Sequence, residues 1–330
     1  MAGVWPALDG PNSAGTREHL RLWSQLLGKT ALAYASPVNH WWHVALHVSS
    51  RGLATGTLPA PDDRVFGLEL DFVGHRLVAS TSDGQSSELP LEAGSLSSFY
   101  ERYLDLLRGL GLHPHLWPRP VEGEDATAFD EDHRERPYDA RWAENFFSTL
   151  REMNRLMTVF RGAFLGKASP AHFFWGSFDL ATTRFSGRRA PRHPGGVPNC
   201  PDYVPEEAYS HECASAGFWP GGGGYPDAAL YSYVYPEPAG FREASLLPDE
   251  AFYSPTLREF LLPYDAVRTS ADPDRAVLSF LQSSYAAAAD HGHWDRAALE
   301  RTAGEPRWLG DGSWATSANI SSLSCEHQPL

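Results

Sequence analysis

The sequence predicts an α+β protein of two related helix–antiparallel sheet–helix halves, an internal duplication packed about a pseudo-twofold axis. Three observations lead to this. Of the 27 basic residues only two are lysine, Lys29 and Lys167, and each follows Leu-Gly, in LLGK at 26–29 and FLGK at 164–167. After each lysine come a Ser-Pro, at 36–37 and 169–170, and an aromatic cluster, NHWWHVALHVSSR at 39–51 and HFFWGSFDLATTRF at 172–185. The third is the order of periodicities, helical, alternating and helical again, written twice, as expected of a repeated unit.

The elements follow in order. Residues 16–27 carry Leu20, Trp23, Leu26 and Leu27 at helical spacing, with Thr16 as N-cap. Gly28 then falls where a helix end favours a left-handed residue, and Lys29 where a cation complements the last carbonyls. Phe66, Leu68, Leu70 and Phe72 alternate with polar partners, so Glu69 and Asp71 are expected on an exposed sheet face, and HRLVAST at 75–81 returns as a second strand. A helix over 97–110 places Phe99, Tyr103, Leu106 and Leu110 on one face. These elements make the first repeat, residues 1–112. Residues 113–138 are rich in proline and acid, lack periodicity, and read as a linker.

The second repeat spans 139–300. Asp139 caps a helix carrying Trp142, Phe146, Leu150, Met153, Met157 and Phe160, with Gly166 again expected at a helix end. Strands are expected at 209–217 and 229–235, and Asp272-Pro273 opens the closing helix with Val277, Phe280, Leu281 and Tyr285. A Pro/Gly-rich insertion occupies 187–226, a length typical of functional or disordered loops. Residues 301–330 read as a disordered tail.

Composition narrows the function. The formal net charge of −14 makes a nucleic-acid backbone an unsuitable partner. No apolar run reaches the roughly 20 residues that span a bilayer. The opening MAGVWPALDGPN lacks a basic and an apolar region, so no secretory signal is expected. Cys200, Cys213 and Cys325 are odd in number and show no CxxC spacing, which favours a reducing, cytoplasmic setting over a disulfide framework. A monomer or homodimer with a small-molecule ligand is the expected state.

Read as strands, the two clusters alternate between faces. In the first, Trp41, His43 and His47 share the polar face; in the second, Phe173, Trp175 and Asp179 share it. His43, Asp179 and either His211 or Glu212 of YSHE would supply a two-His-one-carboxylate set for a divalent transition metal, or general acids and bases without one. Arg184 and Arg188 in TRFSGRR would orient an anion, and Trp41, Trp175 and Lys167 would contact the substrate. A lysine of depressed pKa is the minority reading of Lys29 and Lys167. The glycines at 221–224 are no phosphate loop, since no GK[ST] follows them.

Together NHWWH, SPAHFFWGSFDL, TRFSGRR, YSHE, AGFWPG and FLLPYDAVR resemble an uncharacterised, mainly bacterial family known only as a domain of unknown function (family 5996), over about residues 5–296. The resemblance implies that His40, His43, His172, Asp179, Arg184, His211 and Glu212 lie within shared motifs, whereas relatives carry tyrosine at the position of His47. It implies no substrate, cofactor or reaction.

The leading expectation is an enzyme acting on a small, anionic molecule, with His43, Asp179, His211 and Glu212 as catalytic groups. The alternatives are a noncatalytic module binding a ligand in an aromatic groove of Trp41, Trp42, Phe173, Trp175 and Trp219, and a structural subunit that buries those rings against a partner.

Overall fold

A computed structural model describes residues 5–9, 13–222, 225–301, 307–308 and 314–315. The chain is α+β with antiparallel sheets, and it divides into two compact units. The first unit comprises residues 1–152, 172–180 and 192–210; the second comprises 153–171, 181–191 and 211–330.

The first unit opens with α1 (Ser13–Tyr34), whose buried face includes Leu20, Trp23, Leu26 and Leu27 as expected. Its antiparallel sheet runs β1 (His47–Val48), β2 (Gly52–Ala54), β4 (Val65–Asp71), β5 (Arg76–Thr81) and β6 (Ser86–Pro90), with β3 (Leu58–Pro59) also paired to β4. The alternation in the sequence sets the register. Leu68 faces Ala79 and Leu70 faces Leu77, and all four are buried. After β7 (Gly94–Ser95), Ser95 accepts from Ser98 N to cap α2 (Leu96–Gly109), which buries Phe99, Tyr103 and Leu106. Trp23 stacks on Phe99 at 4.7 Å, joining α1 to α2. The segment 113–138 lies within this unit; its β8 (Glu135–Arg136) pairs with β7, and its Phe129 is fully buried.

Asp139 caps α3 (Ala140–Gly162) by accepting from Trp142 N at 3.1 Å, and α3 runs from the first unit into the second. Then come β9 (His172–Phe174) and β10 (Asp179–Arg189), of which only Asp179 and Leu180 belong to the first unit. The short α4 (Tyr203–Ala208) returns to the first unit.

In the second unit the strand order is β13 (Phe252–Ser254), β14 (Glu259–Pro263), β12 (Ala229–Tyr235), β11 (His211–Trp219) and β10, with β12 on its expected residues. Beside the sheet lie α5 (Tyr264–Thr269), α6 (Pro273–His291) and α7 (Arg296–Leu299). Asp272 caps α6 by accepting from Arg275 N, and Pro273 takes the first helical position.

Several expectations are corrected. Thr16 lies inside α1, and its hydroxyl accepts from Asp139 N at 3.0 Å rather than capping. Gly28 and Lys29 are interior to α1, which continues to Tyr34 because Thr30, Ala31 and Leu32 carry the helix on. Gly166 lies beyond the last residue of α3. Asp71 is buried, not exposed: it turns back to accept from Val73 N and Gly74 N and pairs with Arg51 at 2.8 Å. Neither aromatic cluster is one continuous strand. Residues Asn39–Val44 form a 3-10 turn with His40 and Trp41 in the left-handed region, at φ 59° and 62°, which cancels the alternation of faces. In the second cluster residues 175–178 are a turn, with Phe178 at φ 64°. Much of the expected insertion is regular structure, in β10, α4 and β11, and its Gly223 and Gly224, like most of the tail at 301–330, lie outside the described residues.

Candidate functional site

The site with the most unusual electrostatics lies in the first unit and is organised by one face of α1. Arg21, Gln25, Gly28 and Lys29 follow i, i+4, i+7, i+8 spacing and share that face. Gln25 holds the chain at Val121 by both amide atoms, donating to Val121 O at 3.0 Å and accepting from Val121 N at 2.9 Å. This fixes Glu122 beside the helix, in a left-handed conformation at φ 56°. Glu122 N donates to Pro198 O at 2.9 Å, and Asn199 Nδ2 donates to Gly123 O at 2.6 Å, which brings Cys200 to the same place.

Gly28 is what admits the aromatic wall. Its Cα faces the Trp175 indole so closely that an added Cβ would meet Nε1 at 2.0 Å. The indole, 8% exposed, donates from Nε1 to Val44 O at 2.8 Å. The next residue, Lys29, is 4% exposed, and its Nζ lies 5.8 Å from the centroids of both Phe129 and Trp175. No described residue accepts a hydrogen bond from it or forms an ion pair with it. Burial lowers its pKa from 10.5 to about 8.

The first unit also holds two coupled carboxyl groups, Glu122 and Asp179. Glu122 counts as exposed, yet its carboxylate rests on Gly176, where a Cβ would come within 2.3 Å of Oε1. Burial of that carboxylate and then the charge of Asp179 raise its pKa to about 7, opposed by the Ser177 hydrogen bond and the charge of Arg21. Asp179 is 5% exposed and accepts from Ser177 Oγ. Burial and Glu122 also raise the Cys200 thiol to about 11, so it is a neutral neighbour, not a nucleophile. The first unit thus holds an amine of lowered basicity and a carboxyl group that titrates near neutrality.

The residues singled out in the sequence scatter differently. Asp179 and Trp175 belong to this site. His43 accepts from Val38 N at 3.1 Å, near Trp41 (5.5 Å between rings), which also approaches Tyr203 at 5.9 Å. His40 bonds Ala208 O at 2.8 Å, and His47 contacts His172 edge-on at 5.3 Å, burial lowering the pKa of His47. Phe173 is fully buried and Trp219 belongs to the second unit, so the expected five-membered aromatic groove does not form in the first.

His211 and Glu212 stand on β11 of the second unit. Glu212 takes the Arg188 guanidinium at 2.6 Å and the Ser186 hydroxyl at 2.8 Å, while Arg188 also donates to the carbonyls of Gly292 and His293. Arg184 is 1% exposed and sandwiched in the core, 3.5 Å from the Phe160 centroid and 4.3 Å from that of Tyr285, donating to Phe160 O. It packs and does not clamp an anion, because its strand position points it at the α3–α6 aromatics rather than at solvent. Lys167 is exposed beside Phe185, with its pKa lowered by burial. Among the described residues no group of three or more His, Cys, Asp or Glu could hold a metal ion, so the His43, Asp179, His211 set is not assembled. No described helix is long and apolar enough to cross a membrane.

Sequence reading missed Glu122, Ser177 and Cys200. The one available signal was Lys29 itself, retained as lysine in a chain that otherwise uses arginine almost throughout.

The model of a family of unknown function, DUF5996, matches residues 5–301. No curated protein and no solved structure matches the chain.

Proposed function

Because the chain belongs to DUF5996, a family of unknown function, we propose from geometry that it is an enzyme acting on a small anionic molecule by general acid–base chemistry. Lys29 receives the anion, and Glu122 moves the proton. The observation that carries this reading is the Lys29 ammonium, 4% exposed and without an acceptor among the described residues. An ammonium removed from water costs several kcal/mol unless something accepts its hydrogen bonds, and an external anion would do so. Glu122, with a pKa of about 7, is suited to give and take a proton near neutrality. Asp179, expected as a metal ligand or a general acid or base, acts here as the charge that, after burial, raises the pKa of Glu122.

The doubled ancestry belongs to the same proposal. In its support, each sheet contains successive antiparallel pairs, β4 with β5 and β5 with β6 in the first, β11 with β12 and β12 with β14 in the second.

The test is calorimetric titration of the wild type and Lys29→Met with lactate and with inorganic phosphate at pH 7. Saturable binding of either anion, lost in the folded variant, supports the reading. Wild-type protein that binds neither, or a variant that binds as well, refutes it.

A further inference from the structure

We propose that Lys29 captures carbonyl compounds: its Nζ condenses with the keto carbon of a small 2-oxo acid to give an imine. The inference rests on the reading of Lys29 as an anion-receiving group and names the substrate class.

Three features of the site carry it. The Nζ lies between Phe129 and Trp175, 5.8 Å from each ring, with no acceptor among the described residues, so nothing in the protein occupies its lone pair once a proton leaves. The chain has 27 basic residues, of which two are lysine, so 25 are arginine. Arginine would serve for charge alone, whereas only an amine can add to a carbonyl. The third feature is the Trp175 indole, which Gly28 admits against the helix beside the amine. The low pKa of Lys29, about 8, adds to this: roughly a tenth of it is free amine at pH 7, against well under a thousandth of an ordinary lysine.

The chemistry balances without an oxidant or reductant. The Nζ lone pair attacks the keto carbon, the carbonyl π pair moves to oxygen, and a proton passes from nitrogen to that oxygen. The carbinolamine hydroxyl then leaves as water with a proton from solvent, while the nitrogen lone pair forms the C=N bond. Amine, ketone and that proton give iminium and water. The substrate's own carboxylate gives the binding energy that holds the carbonyl at the amine.

The experiment is incubation of the full chain with pyruvate and sodium cyanoborohydride, followed by intact mass and peptide mapping. Two lysines make the assignment direct. A reduced pyruvate adduct on Lys29, formed at least about tenfold faster than on exposed Lys167, supports the proposal. Equal labelling of both lysines, or none on Lys29, overturns it. Lys29→Arg keeps the charge and, with an unchanged circular dichroism spectrum, must lose the adduct. Lactate separates the two claims, since it has the carboxylate without the ketone. Lactate binding without pyruvate trapping refutes the imine and leaves the anion site standing; failure of both refutes both.

Discussion

Gly28→Ala decides whether the aromatic wall of the site is built as described. In an open helix interior, alanine in place of glycine stabilises by about 1 kcal/mol. Here the new Cβ would lie 2.0 Å from Trp175 Nε1 and 2.1 Å from Cε2, so the indole must move. Overpacking of this kind costs about 1–3 kcal/mol. Movement also breaks the 2.8 Å bond from Nε1 to Val44 O and leaves buried polar atoms unpaired, for about 1–3 kcal/mol more. Less the helical gain, the net is a loss of roughly 1–5 kcal/mol. Urea denaturation followed by circular dichroism measures it. A smaller ring should make room, so Gly28→Ala combined with Trp175→Phe should be less destabilised than the sum of the single variants by about 1 kcal/mol or more. A Gly28→Ala protein as stable as wild type, or more so, would refute the contact and with it the placement of Lys29 against Trp175.

Further outcomes follow from the same groups. Lys29 has a folded-state pKa below its unfolded value, so its burial penalty is full below about pH 8 and disappears as pH rises to 10.5; Lys29→Met should stabilise by roughly 3 kcal/mol at pH 7 and by little at pH 10.5 in paired urea titrations. Glu122 has a raised folded-state pKa, so the wild type loses stability as pH rises from 4.5 to about 7; Glu122→Gln should lack that decline and be the more stable protein at pH 8. Arg184→Lys should cost roughly 2 kcal/mol, because an ammonium cannot stack between Phe160 and Tyr285, yet leave lactate binding intact. Weakened lactate binding in that variant would argue that Arg184 contacts the ligand after all.

The elements governed by local pattern were legible. Alternation in Phe66–Phe72 and helical spacing in α1, α2 and α6 report burial on one face, and Asp139 and Asp272 cap as their chemistry dictates. What sequence could not show are features set by long-range contact. Gly28 looks like a helix end because glycine usually marks one; its true reason is a ring supplied 147 residues later. Glu122 sits in a stretch without periodicity and is placed by Gln25, 97 positions earlier. The clusters at 39–51 and 172–185 read as strands because aromatic and β-branched residues favour strands, and left-handed residues at His40, Trp41 and Phe178 leave no compositional trace. His43 and Asp179 were therefore put on faces that the backbone does not present. Arg184 shows the same limit: its sequence neighbourhood suggests an anion clamp, while its surroundings are three aromatic rings.

Lysine-selective isotope labelling gives the most direct test, since the chain holds two lysines and therefore two side-chain signals, told apart by Lys167→Arg. The account requires Lys29 to titrate at about pH 8 and to shift upward when lactate is added, as a bound carboxylate stabilises the ammonium. A Lys29 signal that titrates near 10.5 and ignores lactate would contradict it.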